Sequence, residues 1–374
     1  MTETQNNTIS IVIPIYKGKQ YINNILQMYD ENVSSLQNAG YKDSVELVLI
    51  NDYPDERIEV EHPGVRVINS KTNNGIQASR VIGINACEGQ YVLMLDQDDR
   101  IASDFLLSQI EKIGTADLII CNGTHNDWPI FQSADDFRSK MNDIGINYII
   151  SPGQALIKKV SIPEIWKEDI MGCGGADDYY LWILMTNNGA MFEYNNDILF
   201  EHVKHEGNTS NDMLVMKASN EELLLKIDKY VDEGVYKDKL VSGIKRTIEE
   251  NEKQLQIEKV FEKIAADKGY ISHQLEVNGC DCISIYGFGN MGQRTYRLLK
   301  ESGVNIKCVL DKKEPSESMK REYNIKYPSE ENLAEVGENE LVIVTPIKLS
   351  ENIKTFLLGN GVKHVVTLVD LSDE

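Results

Sequence analysis

The sequence predicts an α/β protein in three parts: a doubly wound mixed sheet over residues 1–210, a helical connector over 211–275, and a smaller α/β unit over 276–374. Three observations predict it. Residues 9–16 and 91–95 are nearly continuous apolar runs, as expected of strands covered on both faces. Between them, apolar residues recur at helical spacing, so strands and helices alternate. At 374 residues the chain exceeds one compact core, and a fresh strand, glycine loop and helix pattern opens at Cys282.

The first strand, Ile9 to Tyr16, carries Pro14 near its end, where a missing N–H does no harm. A helix follows through Ile22, Ile25, Leu26, Tyr29, Val33 and Leu36, and Gly40 stops it. Val45 to Ile50 is the second strand, ending at Asn51 and Asp52, and Val65 to Ile68 is a short third. Asn73-Asn74-Gly75 turns the chain into a helix through Ala78, Ile82 and Ala86, which Gly89 closes. That helix delivers the chain to Tyr91–Leu95, which ends abruptly in Asp96-Gln97-Asp98-Asp99. Ser103 is the expected cap of a helix through Leu106, Leu107, Ile110 and Ile113. Asp117 to Cys121 and Ser151 to Ile157 read as strands, with a capping signal at Ser133-Ala134-Asp135-Asp136 between them.

Ligands of open α/β sheets sit just beyond the C-terminal ends of the strands. Three carboxylates crowded at such an end repel one another, and burying them unpaired is costly. A divalent cation removes that cost, and oxygen ligands suit Mg²⁺ or Mn²⁺, which would in turn hold a phosphate-bearing ligand. The bland alternative is an acidic strand end that only caps the next helix.

The net charge of −21, without a sustained basic run, argues against nucleic acid or an anionic membrane surface as partner. The cysteines at 87, 121, 173, 280, 282 and 308 form no zinc-like pairing and read as reduced residues of a cytoplasmic protein. The polar start at Met1–Thr8 lacks a signal-peptide pattern, and no segment has the length of a membrane span. Any membrane role is then peripheral, at the inner face.

Taken together, the motifs of the first hundred residues resemble the nucleotide-binding half of the family-2 glycosyltransferases, which have the GT-A fold. The family's Pro-x-Tyr-Asn is matched by Pro14-Ile15-Tyr16, with Lys17 in place of Asn. Its Asp-Asp-Gly-Ser aligns with Asn51-Asp52-Tyr53-Pro54, and its Asn-x-Gly helix entry is echoed by Asn73-Asn74-Gly75 and Ser79-Arg80-Val81. Its metal motif, Leu-Asp-x-Asp-Asp, is matched in full by Leu95-Asp96-Gln97-Asp98-Asp99.

The resemblance implies a donor site of Pro14, Tyr16, Asp52, Arg80 and Asp96, and a metal held by Asp96, Asp98, Asp99 and His205. Asp52 would accept from a uracil N–H or else cap a turn, and Tyr16 would lie against the base or in the core. Arg80 would face the diphosphate or pair with an acid. In Gly172-Cys173-Gly174-Gly175-Ala176-Asp177-Asp178 the glycines make a loop free to approach a ligand, and both acids open a helix ending at Asn187-Asn188-Gly189. The family places Gly-Glu-Asp here. Transfer with inversion needs a base opposite the leaving group, and Asp178 is the choice, with Asp177 second. His205 fits the family's metal-reaching histidine better than His202. The Gln-x-x-Arg-Trp motif of processive members is absent, so one sugar per encounter is expected.

The connector carries Leu223, Leu224, Ile227, Tyr230 and Val231, then Leu240, Ile244, Ile248, Leu255 and Ile257 at helical spacing; a homodimer contact is its other use. After Cys282–Tyr286, the run Gly287-Phe288-Gly289-Asn290-Met291-Gly292 opens a helix through Tyr296, Leu298 and Leu299. Val304 to Leu310 is a strand ending in Asp311, and Leu341 to Thr345 and His364 to Leu368 are further strands. Gly287, Gly289, Gly292 and Asp311 make a Rossmann-like fingerprint for a dinucleotide such as NAD(H). No hydride-transfer constellation follows, so a structural or regulatory role is favoured.

The leading expectation is a metal-dependent, inverting transferase moving a sugar from a nucleoside-diphosphate donor, UDP-linked, to a glycan or lipid-linked hydroxyl in surface polysaccharide assembly. An NAD-dependent oxidoreductase on a nucleotide sugar, and a non-catalytic nucleotide-sugar-binding protein, are the competing classes. Sugar, acceptor and linkage have no readable code.

Overall fold

In a computed structural model the described residues are 8–41, 44–124, 136, 139–140, 146–149, 151–205, 207–313 and 316–372. The chain divides into two compact units, residues 1–248 and 249–374. The first is built on an eight-stranded mixed sheet. Its strands are β1 (Thr8–Ile15), β2 (Ser44–Asn51), β3 (Val65–Asn69), β4 (Tyr91–Met94), β5 (Arg100–Ile101), β6 (Leu118–Gly123), β7 (Ala155–Lys158) and β8 (Phe192–Glu201). Their order is β3-β2-β1-β4-β7-β6-β8-β5. β1 runs parallel to β2 and β4, and β4 is antiparallel to β7.

Successive side chains of a strand point to opposite faces, and both faces here are covered. Ile9, Ile11, Ile13 and Ile15 of β1 and Leu47 and Leu49 of β2 face helices α1 (Ile22–Asn38) and α3 (Phe105–Lys112). Val12, Val48, Ile50, Val92 and Met94 face α2 (Ile76–Ala86). The same cluster includes α5 (Asp177–Asn187), which follows the short α4 (Glu164–Glu168). Every residue of α5 from Asp177 to Met185 is buried, so this helix is a core element rather than an amphipathic cover.

Local expectations are refined in three places. α3 begins after Asp104, with no side-chain cap, so Ser103 does not serve as one. Residues 152–154 form a tight 3₁₀ turn instead of strand, and Ser151 and Gln154 close it as a capping box. The signal at Ser133-Ala134-Asp135 lies outside the described residues.

Helices α6 (Met213–Tyr230) and α7 (Val235–Ala266) follow, with the division between units inside α7. Residues 211–275, expected as a connector, distribute their apolar positions between two cores. Leu223, Ile227, Leu240 and Ile244 pack in the first unit; Ile257, Val260, Phe261 and Ile264, with Ile271 and Leu275 of α8 (Tyr270–Val277), pack in the second.

The second unit is a five-stranded, all-parallel sheet in the order β11-β10-β9-β12-β13. Its strands are β9 (Cys282–Tyr286), β10 (Ile306–Leu310), β11 (Ile325–Lys326), β12 (Glu340–Val344) and β13 (His364–Thr367). Gly287 leads into α9 (Asn290–Glu301), and a Cβ on Gly292 would lie 2.0 Å from the Gly287 carbonyl oxygen. Loop and helix therefore meet at a distance only glycine permits. Asp311 accepts from Phe288 N at 2.5 Å and from Lys313 N at 2.7 Å, tying the glycine loop to the end of β10. All six cysteines are free, and no helix among the described residues is long and apolar enough to cross a membrane.

Candidate active site

The parallel strands β1, β2 and β4 deliver Tyr16, Asp52 and Asp96 to one edge of the sheet, each just past its strand's last residue. Asp52 is nearly fully buried. Its Oδ1 accepts from Asn74 N and Nδ2, and its Oδ2 from Gly75 N, each at 2.9 Å. Gly75 has φ +84°, a conformation glycine adopts freely, so the carboxylate clamps the turn that opens α2. Tyr16 lies outside the core, 44% exposed. Gln97, inside the acidic motif, holds its backbone from both sides: Tyr16 N donates to Oε1 at 3.0 Å, and Nε2 donates to Tyr16 O at 3.2 Å.

Arg80 is buried and bridges two acids. Its Nη1 donates to Asp177 Oδ2 at 2.5 Å and its Nη2 to Asp96 Oδ1 at 2.6 Å. Burial pulls its pKa down, but Asp177 and Asp96 outweigh burial and hold it above the usual arginine value. One turn away on the same face, Gln77 Nε2 donates to Trp166 O, and its Oε1 accepts from Met171 N, both at 2.8 Å. Trp166 Nε1 in turn donates to Asp177 O at 2.8 Å. Helix α2 thus fastens the start of α5 against the acidic strand end. Arg80 is committed to carboxylates rather than facing a diphosphate.

The acids of the strand end part company. β5 pairs antiparallel with β8, Arg100 opposite Glu201 and Ile101 opposite Phe200, and this register carries residue 202 to residue 99. His202 Nδ1 bonds Asp99 Oδ1 at 2.9 Å, and Asn208 Nδ2 reaches His202 Nε2 at 3.3 Å. Burial raises the Asp99 pKa against that hydrogen bond, and the bond raises that of His202. Three residues on, His205 Nε2 touches Asp98 Oδ2. Among the described residues no three His, Cys, Asp or Glu side chains converge as a metal site. Of the expected set of Asp96, Asp98, Asp99 and His205, Arg80 engages one oxygen of Asp96 and His202 one oxygen of Asp99, while Asp99 Oδ2 is buried without a partner. Asp98 Oδ2 and His205 Nε2, from separate segments, are likewise paired with each other. A carboxylate and an imidazole side by side are donor types that suit Mn²⁺.

Asp178 differs from its neighbour. Buried beside Asp177, its carboxyl is raised to about 7, first by burial and then by the Asp177 charge, with Arg80 opposing. Its Oδ1 accepts from Tyr179 N at 2.6 Å, and Asn147 Nδ2 lies 3.3 Å from Oδ2. Asp177 is locked by Arg80, whereas Asp178 is poised to exchange a proton near neutrality.

The glycine loop before these acids is held by α6. Glu222 accepts from Gly172 N at 2.9 Å and Cys173 N at 3.0 Å, and Ser219 Oγ accepts from Ala176 N at 3.0 Å. Glu222→Ala removes the shared acceptor of two amides, one exposed and one half-buried, and is expected to cost ~0.5–1.5 kcal/mol. Faster amide exchange in peptides covering 172–176 would report it, and unchanged exchange would contradict the clamp. Gln77, Gln97, Asn147, His202, Ser219 and Glu222 escape sequence reasoning. Only His202 carried a signal, through its nearness to His205.

Residues 10–159 match the family described as Glycosyl transferase family 2. The chain is similar to an uncharacterized glycosyltransferase of Haemophilus influenzae, 32% identical over 124 residues, which is 31% of this chain and 46% of that protein. It is similar to the chondroitin synthase of Escherichia coli, 24% identical over 231 residues, covering 57% of this chain and 31% of the relative. The chain thus spans less than half the length of either relative. Among solved structures, S. aureus TarS 1–349 in complex with UDP-GlcNAc superposes with a TM-score of 0.46 at 16% identity, covering 65% of this chain and 72% of TarS 1–349.

Proposed function

We propose that the chain is an inverting glycosyltransferase that moves one sugar from a nucleoside-diphosphate donor, UDP-linked, to a hydroxyl of a glycan or lipid-linked acceptor in surface polysaccharide assembly. The observation that supports this most is Asp178: a buried carboxyl raised to about 7, at the opening of a helix that Arg80 fastens to the acidic strand end. Asp178 takes the proton of the acceptor hydroxyl as its oxygen attacks the anomeric carbon opposite the leaving diphosphate. Asp98 and His205 would hold Mn²⁺ or Mg²⁺, which supplies Lewis-acid stabilisation of the departing nucleoside diphosphate. Arg80 and Asp177 fix the distance between the two acidic centres, and Tyr16 offers its ring to the base beside Pro14. Work at the cytoplasmic face of a membrane, through peripheral contact, fits an acceptor carried on lipid.

The second unit is assigned a structural or regulatory role. Asp311, the residue that would receive ribose hydroxyls, accepts from Phe288 N and Lys313 N, and the sequence carries no hydride-transfer constellation beside the glycine loop, which disfavours the oxidoreductase alternative. The test is release of UDP from a panel of UDP-sugars by the purified chain, with Mn²⁺ or with EDTA, and the anomer of the product read by NMR. Metal-dependent release with an inverted anomer is expected; no turnover of any nucleotide sugar, or retention, would overturn the reading. His205→Ala is expected to weaken Mn²⁺ binding in the presence of UDP at least tenfold, read by calorimetry.

A further inference from the structure

Two departures from the family pattern meet in space. Lys17 stands where the family motif has Asn, and Tyr53 follows Asp52 where the motif has Gly. The Tyr16 and Tyr53 rings lie edge to face, 5.5 Å between centroids at 77°. Lys17 Nζ sits 5.3 Å from the Tyr16 centroid and 5.4 Å from that of Tyr53. Both distances are within the range at which an aromatic face attracts a cation. Lys17 also has φ +51°, one of only two such non-glycine residues among the described ones. Left-handed backbone at a lysine is uncommon and costs free energy, so its surroundings must hold it there. Gln97 does so by gripping Tyr16 from both sides.

Asp52, meanwhile, has three N–H donors on its two oxygens and is 4% exposed. A carboxylate accepts about four hydrogen bonds, so little of it is left for a ligand. We infer that Lys17 and Tyr53 read the base of the donor nucleotide in this chain: Tyr53 braces the Tyr16 ring on which the base stacks, and the Lys17 ammonium donates to a carbonyl oxygen of a uracil-type base. The inference rests on the donor site proposed above and moves base recognition from Asp52 to residues that depart from the motif. The cation–π perch keeps the ammonium beside the stacking ring before the nucleotide arrives, so little side-chain freedom is lost on binding.

The experiment is calorimetric titration of the full chain with UDP, and separately with inorganic pyrophosphate, both in Mn²⁺. Lys17→Asn is the main variant, because Asn tolerates left-handed backbone and removes only the ammonium. Lys17→Asn should weaken UDP about tenfold, leave pyrophosphate unchanged and leave the melting temperature unchanged. Tyr53→Ala should weaken UDP similarly, and Tyr53→Phe should restore it. Equal losses for UDP and pyrophosphate would make Lys17 a diphosphate contact and overturn the assignment. Unchanged UDP affinity in Lys17→Asn would overturn it too. A wild-type chain that binds no UDP would refute the donor site itself, a separate result.

Discussion

Asp178→Asn is expected to abolish sugar transfer and, in the same protein, to stabilise the fold above pH 7. Without a base the acceptor hydroxyl keeps its proton during attack, and loss of a general base typically costs 10²–10⁴-fold in rate. The stability effect follows from linkage. The Asp178 carboxyl titrates at about 7 when folded, against 3.8 as its ordinary value. Between those two values the folded chain keeps a proton that the unfolded chain has lost. The resulting contribution is fully present below pH 4, declines as pH rises through 7, and is flat beyond. Its size is ~4 kcal/mol, taking about 1.36 kcal/mol for each tenfold change in proton affinity. Asn keeps the acceptor for Tyr179 N, so the substitution removes the charge at the cost of the long Asn147 contact, whose amide is held by Ile149 N. Melting temperatures of the two proteins should nearly coincide at pH 4.5 and diverge toward pH 8, the variant higher. In the wild-type chain, kcat/KM should rise from acid pH and level off above about 7, because the base acts only when deprotonated. A variant that melts below wild type at pH 8 would show that the carboxylate is not held against burial.

Much of this site could be read from residues alone, for a physical reason. Strands covered on both faces appear as unbroken apolar runs, and their ends mark where ligands sit. Ile9–Ile15 and Tyr91–Leu95 therefore announced the central strands and the acidic edge together. What stayed hidden depended on partners far apart in sequence. β5 is two residues long, too short for any period, and β8 is irregular through Asn195–Ile198, where its pairing with β6 shifts. Their pairing alone brings His202 and His205 to Asp99 and Asp98. Likewise nothing near Arg80 or Gln77 says that Arg80 turns toward α5 and Gln77 toward α4 and the loop after it, about ninety residues later. Ser151–Gln154 failed differently: its apolar neighbours suggested strand, but the local capping box won.

The largest loss of stability is expected from Arg80→Met. The guanidinium is the cation between Asp96 and Asp177, and both its terminal nitrogens are used, while Nε has no partner. Removing it leaves Asp177, 3% exposed, as a carboxylate without compensation. Breaking a buried pair from one side costs ~3–5 kcal/mol, whereas removing both partners costs much less. Arg80→Met combined with Asp177→Asn should therefore recover most of the loss, with a coupling in the double-mutant cycle, measured by urea unfolding, at least as large as the energy recovered. The electrostatic consequence reaches Asp178 as well, because Arg80 is the charge that pulls its pKa down. In Arg80→Met the acid limb of kcat/KM should move above 7, so residual activity is recovered by raising the pH. In the double variant the opposing charge of Asp177 is gone too, and the limb should move back toward neutrality. A single variant within about 1 kcal/mol of wild type, with an unmoved pH profile, would mean that α2 does not set the geometry of the base.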